Sequence, residues 1–179
     1  MNKTIYLSLL LLIVWITNLQ AQNKTIETAG DVFLFAVPAA TLGTTLILND
    51  KKGTWQFTKA ILLNTAVTYG LKEALNKPRP HNNGDNAFPS GHTSTTFHGA
   101  SFIHRRYGFK YSIPVYLAAG FTAFSRIDAQ KHDGWDILAG AAVGIGSTYL
   151  FTTPYQQEHM ELTMSSGKGE YLLGFIYKF

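Results

Sequence analysis

The chain has 179 residues, enough for one domain. It is 46% hydrophobic and 15% charged, against roughly 25% charged in an ordinary soluble domain, while its mean hydropathy is only +0.02, so composition leans toward a membrane protein without a strong excess of apolar residues. The net charge of +4 is spread over segment ends, which leaves no nucleic-acid footprint, and the absence of cysteine excludes a disulfide framework and thiolate metal sites.

Residues 1–21 read as an export signal. Lys3 supplies the positive start, Ile5 to Ile16 the apolar core, and Leu19-Gln20-Ala21 a small-residue cleavage site. The competing reading is an uncleaved first membrane helix; the core is shorter than the roughly 20 residues a span needs. Residues 22–30 are polar and read as a linker. Val32 to Leu48 is long enough to cross a membrane with little tilt. Asn49-Asp50-Lys51-Lys52-Gly53 reads as a turn. Trp55 to Asn76 is expected as the next helix, with Trp55 at an interface, and Pro78 and Pro80 stop it. His81 to Phe88 is a short polar loop.

Pro89-Ser90 opens a further helix with His92 in its first turn. Thr93, Ser94, Thr95, Thr96 and His98 make it polar for a span, so it is either shielded by its neighbours or outside lipid. A basic loop, Arg105 to Lys110, leads to an apolar helix, Tyr111 to Phe124. After the loop 125–133, Gly134 to Phe151 is rich in glycine and alanine, which lets helix backbones approach closely. In the tail, Tyr171, Leu173, Phe175, Tyr177 and Phe179 alternate at the period of a strand, and Ser165-Ser166-Gly167-Lys168-Gly169 would turn a hairpin with 160–164.

The expected fold is therefore all-α, six helices in a membrane-type bundle with a short C-terminal β-hairpin. The expected divisions are 1–21, signal peptide or first membrane helix; 30–154, the catalytic domain; and 155–179, the tail. Threading the helices puts Lys3, Lys51-Lys52 and Arg105-Arg106-Lys110 on one side and the loops 77–92 and 125–133 on the other. The positive-inside rule makes the first side cytoplasmic.

Three stretches carry chemistry. In the first, Lys72 lies near a helix end and Arg79-Pro80 just beyond it. Both can reach one anion, Arg as a planar fork and Lys as a point charge; the bland reading is helix-end cations, and Lys77 is read as one. In the second, Pro89-Ser90-Gly91-His92, Gly91 lets a ligand come close to the backbone, N–H groups at a helix start bind anions, and Ser90 can donate. His92 is placed to act as an acid toward a leaving oxygen. The bland reading is a plain helix start. In the third, Arg126 is a further phosphate clamp. His132 and Asp136 fall four apart, on one face if a helix starts near His132; the carboxylate would fix the tautomer and free the other nitrogen to attack. A helix cap with a surface ion pair is the plain alternative. Each stretch alone is weak, but all three sit at helix ends on one side of the threaded bundle.

Taken together they resemble the type-2 phosphatidic acid phosphatase and vanadium haloperoxidase superfamily. The pattern Lys-x6-Arg-Pro, Pro-Ser-Gly-His and Ser-Arg-x5-His-x3-Asp is present in full, as Lys72, Arg79, Pro80; Pro89, Ser90, Gly91, His92; and Ser125, Arg126, His132, Asp136. The likeness runs from about residue 55 to 152. It implies a six-helix core with the site at one end. It implies that His132 attacks phosphorus to form a phosphohistidine, that Asp136 orients it, and that His92 protonates the leaving group and then activates water. Lys72, Arg79, Ser90, the Gly91 N–H and Arg126 would hold the phosphate oxygens. No metal and no cofactor is expected.

The expected activity is hydrolysis of a lipid phosphate or diphosphate: phosphatidic acid, phosphatidylglycerophosphate, an isoprenyl diphosphate or a lipid A phosphate. The expected partners are that lipid and a membrane, with no nucleic acid and no defined oligomeric state. The expected place is the bacterial envelope, in the inner membrane with the site facing the periplasm. The alternatives are a soluble exported acid phosphatase of the same superfamily, a vanadate-dependent haloperoxidase, and a non-enzymatic scaffold or transporter component. His98 and His104 are expected in packing, His81 at the rim and His159 in the tail. Asp128, Lys131, Asp133 and Trp135 have no assigned role.

Overall fold

The computed structural model describes residues 3–82, 84–155, 160–167 and 170–177. Five α-helices make the body: α1 Lys3–Ile47, α2 Lys51–Leu75, α3 Gly91–Tyr107, α4 Phe109–Asp128 and α5 Gly134–Phe151. A single 3₁₀ turn, Pro80–Asn82, lies between α2 and α3. Two strands follow, β1 Met160–Gly167 and β2 Glu170–Tyr177, paired antiparallel with Met160 opposite Tyr177. Ser165 to Gly167, expected in the turn, continue β1 instead.

The main departure from expectation is at the start. The apolar core of 1–21, the polar run 22–30 and the segment 32–48 are not two helices and a linker; α1 is continuous through all of them. Residues 22–30 contain no proline, and Gln, Lys, Glu and Ala are good helix formers. Polarity there reflects what the helix faces rather than a break. Gly30 is explained by contact: a Cβ there would stand 2.0 Å from Ser125 Oγ, so α1 lies backbone-close against α4.

The turn expected over 49–53 is also shorter. Asp50 caps α2, its side chain accepting from Gly53 N at 2.8 Å. A Cβ on Gly53 would meet that carboxylate at 2.1 Å, so this glycine makes room for a cap rather than bending a turn.

Helix α3 contacts all four other helices. This accounts for its polarity: Thr93, Ser94, Thr96, His98 and Ser101 are all fully buried and shielded by neighbours. They pair across interfaces, as buried polar groups must. Ser101 Oγ donates to Thr148 Oγ1 at 2.8 Å, Thr148 Oγ1 lies 2.9 Å from His98 Nδ1, and Thr68 meets Ser94 at 3.0 Å.

The small residues of α5 are what bring it this near. A Cβ on Gly140 would stand 2.6 Å from Ser90 O, and one on Gly144 only 2.2 Å from Ser94 O. The close contact lets Ser90 N donate to Asp136 O at 2.9 Å, tying the start of α3 to the first turn of α5.

Outward, the pattern inverts. Val32, Phe35, Leu62, Leu117, Leu138 and Leu150 are exposed large apolar side chains on α1, α2, α4 and α5. The stretch Lys24–Ile47 of α1 is long and apolar enough to cross a membrane.

Candidate active site

Each motif side chain arrives from a helix end. Lys72 is in the last turn of α2, which stops at Asn76 in the left-handed conformation (φ 39°). Arg79 follows in the connection, its N–H donating to Gly84 O at 2.7 Å. Gly91 and His92 open α3, and Arg126 lies in the last turn of α4. His132 precedes the α5 cap, Asp133, by one residue.

Lys72, Arg79, Gly91, His92, Arg126 and His132 line one cavity of about 520 Å³. Ser90 and Asp136 are fully buried and stand behind its wall. The Ser90 hydroxyl oxygen accepts from Thr93 N at 3.4 Å and from Thr93 Oγ1 at 3.0 Å, so it serves as a helix cap. A Cβ on Gly91 would meet only ordinary contacts, Lys72 Cε and Thr68 Cγ2 at 3.8 Å. Packing therefore does not demand glycine there.

The cations are only partly committed. Lys72 Nζ donates to Asn86 O at 2.6 Å. Arg79 Nε is buried with no hydrogen bond among the described residues. Arg126, 3% exposed, donates through Nε to Ser125 Oγ (3.1 Å), through Nη1 to Asp31 Oδ1 (2.8 Å) and through Nη2 to Glu27 O (2.6 Å). A guanidinium has five N–H donors. Each terminal nitrogen of Arg126 thus keeps one N–H, which is enough for a fork onto two phosphate oxygens.

His132 is buried, its Nδ1 3.6 Å from Asp136 Oδ2. That separation is an ion-pair distance and not a hydrogen bond. The expectation that Asp136 directly orients His132 needs correction for this state. His132 stands outside α5, so the i,i+4 helical face is not what brings the two together. Asp136 Oδ2 instead accepts from Asp133 N at 3.0 Å, completing a capping box, and Oδ1 accepts from Lys77 Nζ at 2.8 Å.

Lys77, read as a plain helix-end cation, bridges Asp133 and Asp136. Burial is the largest single effect and opposes its charge, but hydrogen bonds and attraction to the two carboxylates together outweigh it and raise its pKa. Hydrogen bonding to Lys77 likewise holds Asp133 below the usual carboxylate range. Burial, and then the charge of Lys72, push His132 down to about 4, against the opposing pull of Asp136. Its ring is therefore uncharged at neutral pH and carries a free lone pair.

Two acidic residues that the sequence reading placed at the linker or its edge also reach the site. Asp31 Oδ1 lies 2.8 Å from His92 Nε2, and Glu27 pairs with Lys131 at 3.8 Å. Both line the cavity. The available signal was their i,i+4 spacing, which puts them on one helix face beside Gly30.

The remaining histidines lie elsewhere. His98 is buried against Phe57, His104 neighbours Tyr116 and Phe109, and His81 is exposed. His159 lies outside the described residues. Asp128 and Trp135 do not line the cavity. Among the described residues no three His, Asp or Glu side chains gather as a metal site.

A helical bundle that gathers three cations and two histidines at one end defines a phosphate-handling enzyme. The chain belongs to the PAP2 superfamily, whose family model matches residues 53–160, and it is a phosphatase of that family. It is 31% identical to the lipid A 4′-phosphatase of Helicobacter pylori over 197 aligned residues, covering 98% of each chain. It is 43% identical to the lipid A 1-phosphatase of Porphyromonas gingivalis over 77 residues, 41% of this chain and 17% of that one. The crystal structure of Aquifex aeolicus LpxE superposes with a TM-score of 0.64 at 23% identity, over 73% of this chain and 84% of the other, and shows the common fold.

Proposed function

We propose that the chain removes a phosphate from a membrane lipid, a lipid A phosphate foremost, by transfer through His132. The observation that carries this is the cavity that Lys72, Arg79 and Arg126 share with the buried His132. Three cations supply the charge that a transferring phosphoryl group needs.

The chemistry divides into two balanced steps. The His132 nitrogen attacks phosphorus as the bond to the leaving oxygen breaks, and His92 gives that oxygen its proton. Water then attacks the phosphohistidine, gives its proton to His92, and the P–N bond breaks to release inorganic phosphate. Asp136, 3.6 Å away, stabilises the charged ring of the intermediate; catalytic contacts of this kind tighten once substrate is bound. The Gly91 N–H at the start of α3 joins the cations in holding phosphate oxygens, and Ser90, buried behind the wall, supports that helix start as its cap.

Several features support a lipid. Apolar side chains face outward and polar ones inward, the reverse of a soluble domain. That belt argues against the soluble acid phosphatase. Beyond the phosphate groups the cavity wall is polar, with Asn64, Thr65, Thr68, Ser94 and Thr95. The side-chain amide of Asn64 is buried and has no partner among the described residues. Such a wall suits a sugar headgroup better than a plain glycerol or an isoprenyl chain. The near full-length relative that acts on lipid A points the same way. The reading places the enzyme in a bacterial inner membrane with the cavity toward the periplasm, because Lys51, Lys52, Arg105 and Lys110 lie toward the opposite end.

The test is phosphate release by the detergent-purified full chain, with lipid A species, phosphatidic acid, an isoprenyl diphosphate and a small soluble ester. Release is expected from lipid A first, and from nothing with His132→Ala. Release confined to the small ester would move the assignment to the soluble class.

A further inference from the structure

Three carboxylates line the cavity, Glu27, Asp31 and Glu73, and phosphate binding explains none of them; Asp31, on α1, is the one that touches both a candidate acid and a candidate phosphate clamp. Asp31 Oδ1 stands 2.8 Å from both His92 Nε2 and Arg126 Nη1. A phosphate site gains nothing from a negative charge beside its own cation unless that charge does something else.

The contact is built rather than incidental. Gly30, the residue before Asp31, has no side chain, and a Cβ there would stand 2.0 Å from Ser125 Oγ and 3.0 Å from Arg126 Nη2. Glu27, one turn earlier, offers its carbonyl to Arg126 Nη2 at 2.6 Å. The backbone of α1 is therefore seated directly on the Ser125-Arg126 pair, and Asp31 is delivered to His92 from a rigid helix. None of this lies in the sequence motifs, which begin at Lys72.

The hydrogen-bond chemistry then fixes a proton. A carboxylate accepts only, so the His92 nitrogen facing Asp31, Nε2, carries hydrogen. Arg126 Nη1, 3.4 Å from the same nitrogen, cannot donate to it in that state. The other ring nitrogen, Nδ1, makes no hydrogen bond among the described residues. It is the nitrogen left to exchange a proton with an incoming oxygen.

We infer that Asp31 is a positioning residue of the reaction: it fixes the Nε2–H tautomer of His92, balances the charge of the doubly protonated ring, and braces Arg126. Nδ1–H of His92 then passes its proton to the leaving oxygen, and Nδ1 later takes one from the attacking water. Nε2–H stays on Asp31 throughout. This inference rests on the histidine mechanism proposed above.

The experiment uses the detergent-purified full chain and inorganic phosphate labelled with ¹⁸O. A histidine phosphatase exchanges these oxygens with water by expelling hydroxide, a leaving group that needs a proton. Asp31→Asn keeps the shape and loses the charge. It should slow exchange by roughly 10²-fold, the lower end of what an acid–base group contributes, while phosphate affinity changes less than about threefold. Asp31→Glu should recover part of the rate. In ¹⁵N spectra, Nε2 of His92 should be the protonated nitrogen in the wild type, and Asp31→Ala should mix the tautomers.

Equal loss of exchange and phosphate affinity would reduce Asp31 to a brace for Arg126 and overturn the inference. Tighter phosphate binding with unslowed exchange would make it a plug in the empty site, which also overturns it. A wild type that binds phosphate and exchanges no oxygen would instead sink the histidine mechanism, and the inference with it.

Discussion

Two buried arginines, at opposite ends of the bundle, show what separates a structural charge from a working one. Arg106 is 2% exposed and Arg126 is 3% exposed. Both sit in the last turn of a helix. His92 and Arg106 open and close the same helix, about 21 Å apart.

Arg106 is matched to Asp50 as a fork, Nε to Oδ2 at 2.7 Å and Nη2 to Oδ1 at 2.6 Å, and also donates to Thr153 O at 2.9 Å. Tyr107 and Gly53 N complete the carboxylate's partners. Burial alone would raise the Asp50 pKa, but these bonds outweigh it and hold the carboxyl below its usual range. At the other end, Lys72, Arg79 and Arg126 share a cavity in which Asp31, half-exposed, touches Arg126 and His92. One end is closed by a matched, buried pair; the other keeps N–H donors turned to a cavity.

The contrast breaks first at Asp50. Asp50→Ala takes the carboxylate away from the buried Arg106 charge, which costs about 3–5 kcal/mol. A large fall in the thermal midpoint in detergent is expected, with unchanged turnover per folded molecule. Because the Asp50 carboxyl is depressed, its stabilising share is present above the unfolded carboxylate pKa and is lost as pH falls through the folded one. The wild type should therefore lose stability in acid by an increment that the variant lacks.

Arg126→Lys is the complementary change. It keeps a charge and removes the fork, so kcat/KM should fall by about 10²-fold, roughly 2.7 kcal/mol, with the thermal midpoint nearly unchanged. If Arg126→Lys unfolded the chain, or Asp50→Ala silenced it while folded, the division between the two ends would be wrong.

The smallest effect concerns Lys77. Removing its charge in Lys77→Met leaves Asp136 freer to act on His132. The His132 titration, followed by NMR, should lie near 4 in the wild type and move upward in the variant. No movement would show that Lys77 serves the α5 cap alone.

Much of the site was legible because its chemistry is local. Proline, serine and glycine at 89–91 announce a helix start, and the small residues at 140 and 144 announce a close helix contact. The polar face of α3 was legible as an alternative that burial then decided. What stayed hidden depends on partners far along the chain. Asp31 meets Arg126 across 95 residues, and Lys77 meets Asp136 across 59. The i,i+4 spacing of Glu27 and Asp31 beside Gly30 is a signal only once α1 is known to be continuous, and nothing adjacent to Lys77 distinguishes it from a helix-end cation. The continuity of α1 is hidden for the same reason: Glu27 in that run meets Arg126 through its carbonyl and Lys131 through its side chain, and these arrive from α4 and the loop beyond it.

The most direct measurement is to trap the covalent intermediate. Full-length enzyme turning over a ³²P-labelled substrate would be quenched in alkali, and the label mapped by peptide. The expected result is an alkali-stable, acid-labile phosphate on His132, absent in His132→Ala; because His92 serves both steps, His92→Ala should accumulate it only with a substrate whose leaving group needs no proton. Turnover with no label in any variant, or label on another residue, would contradict transfer through His132.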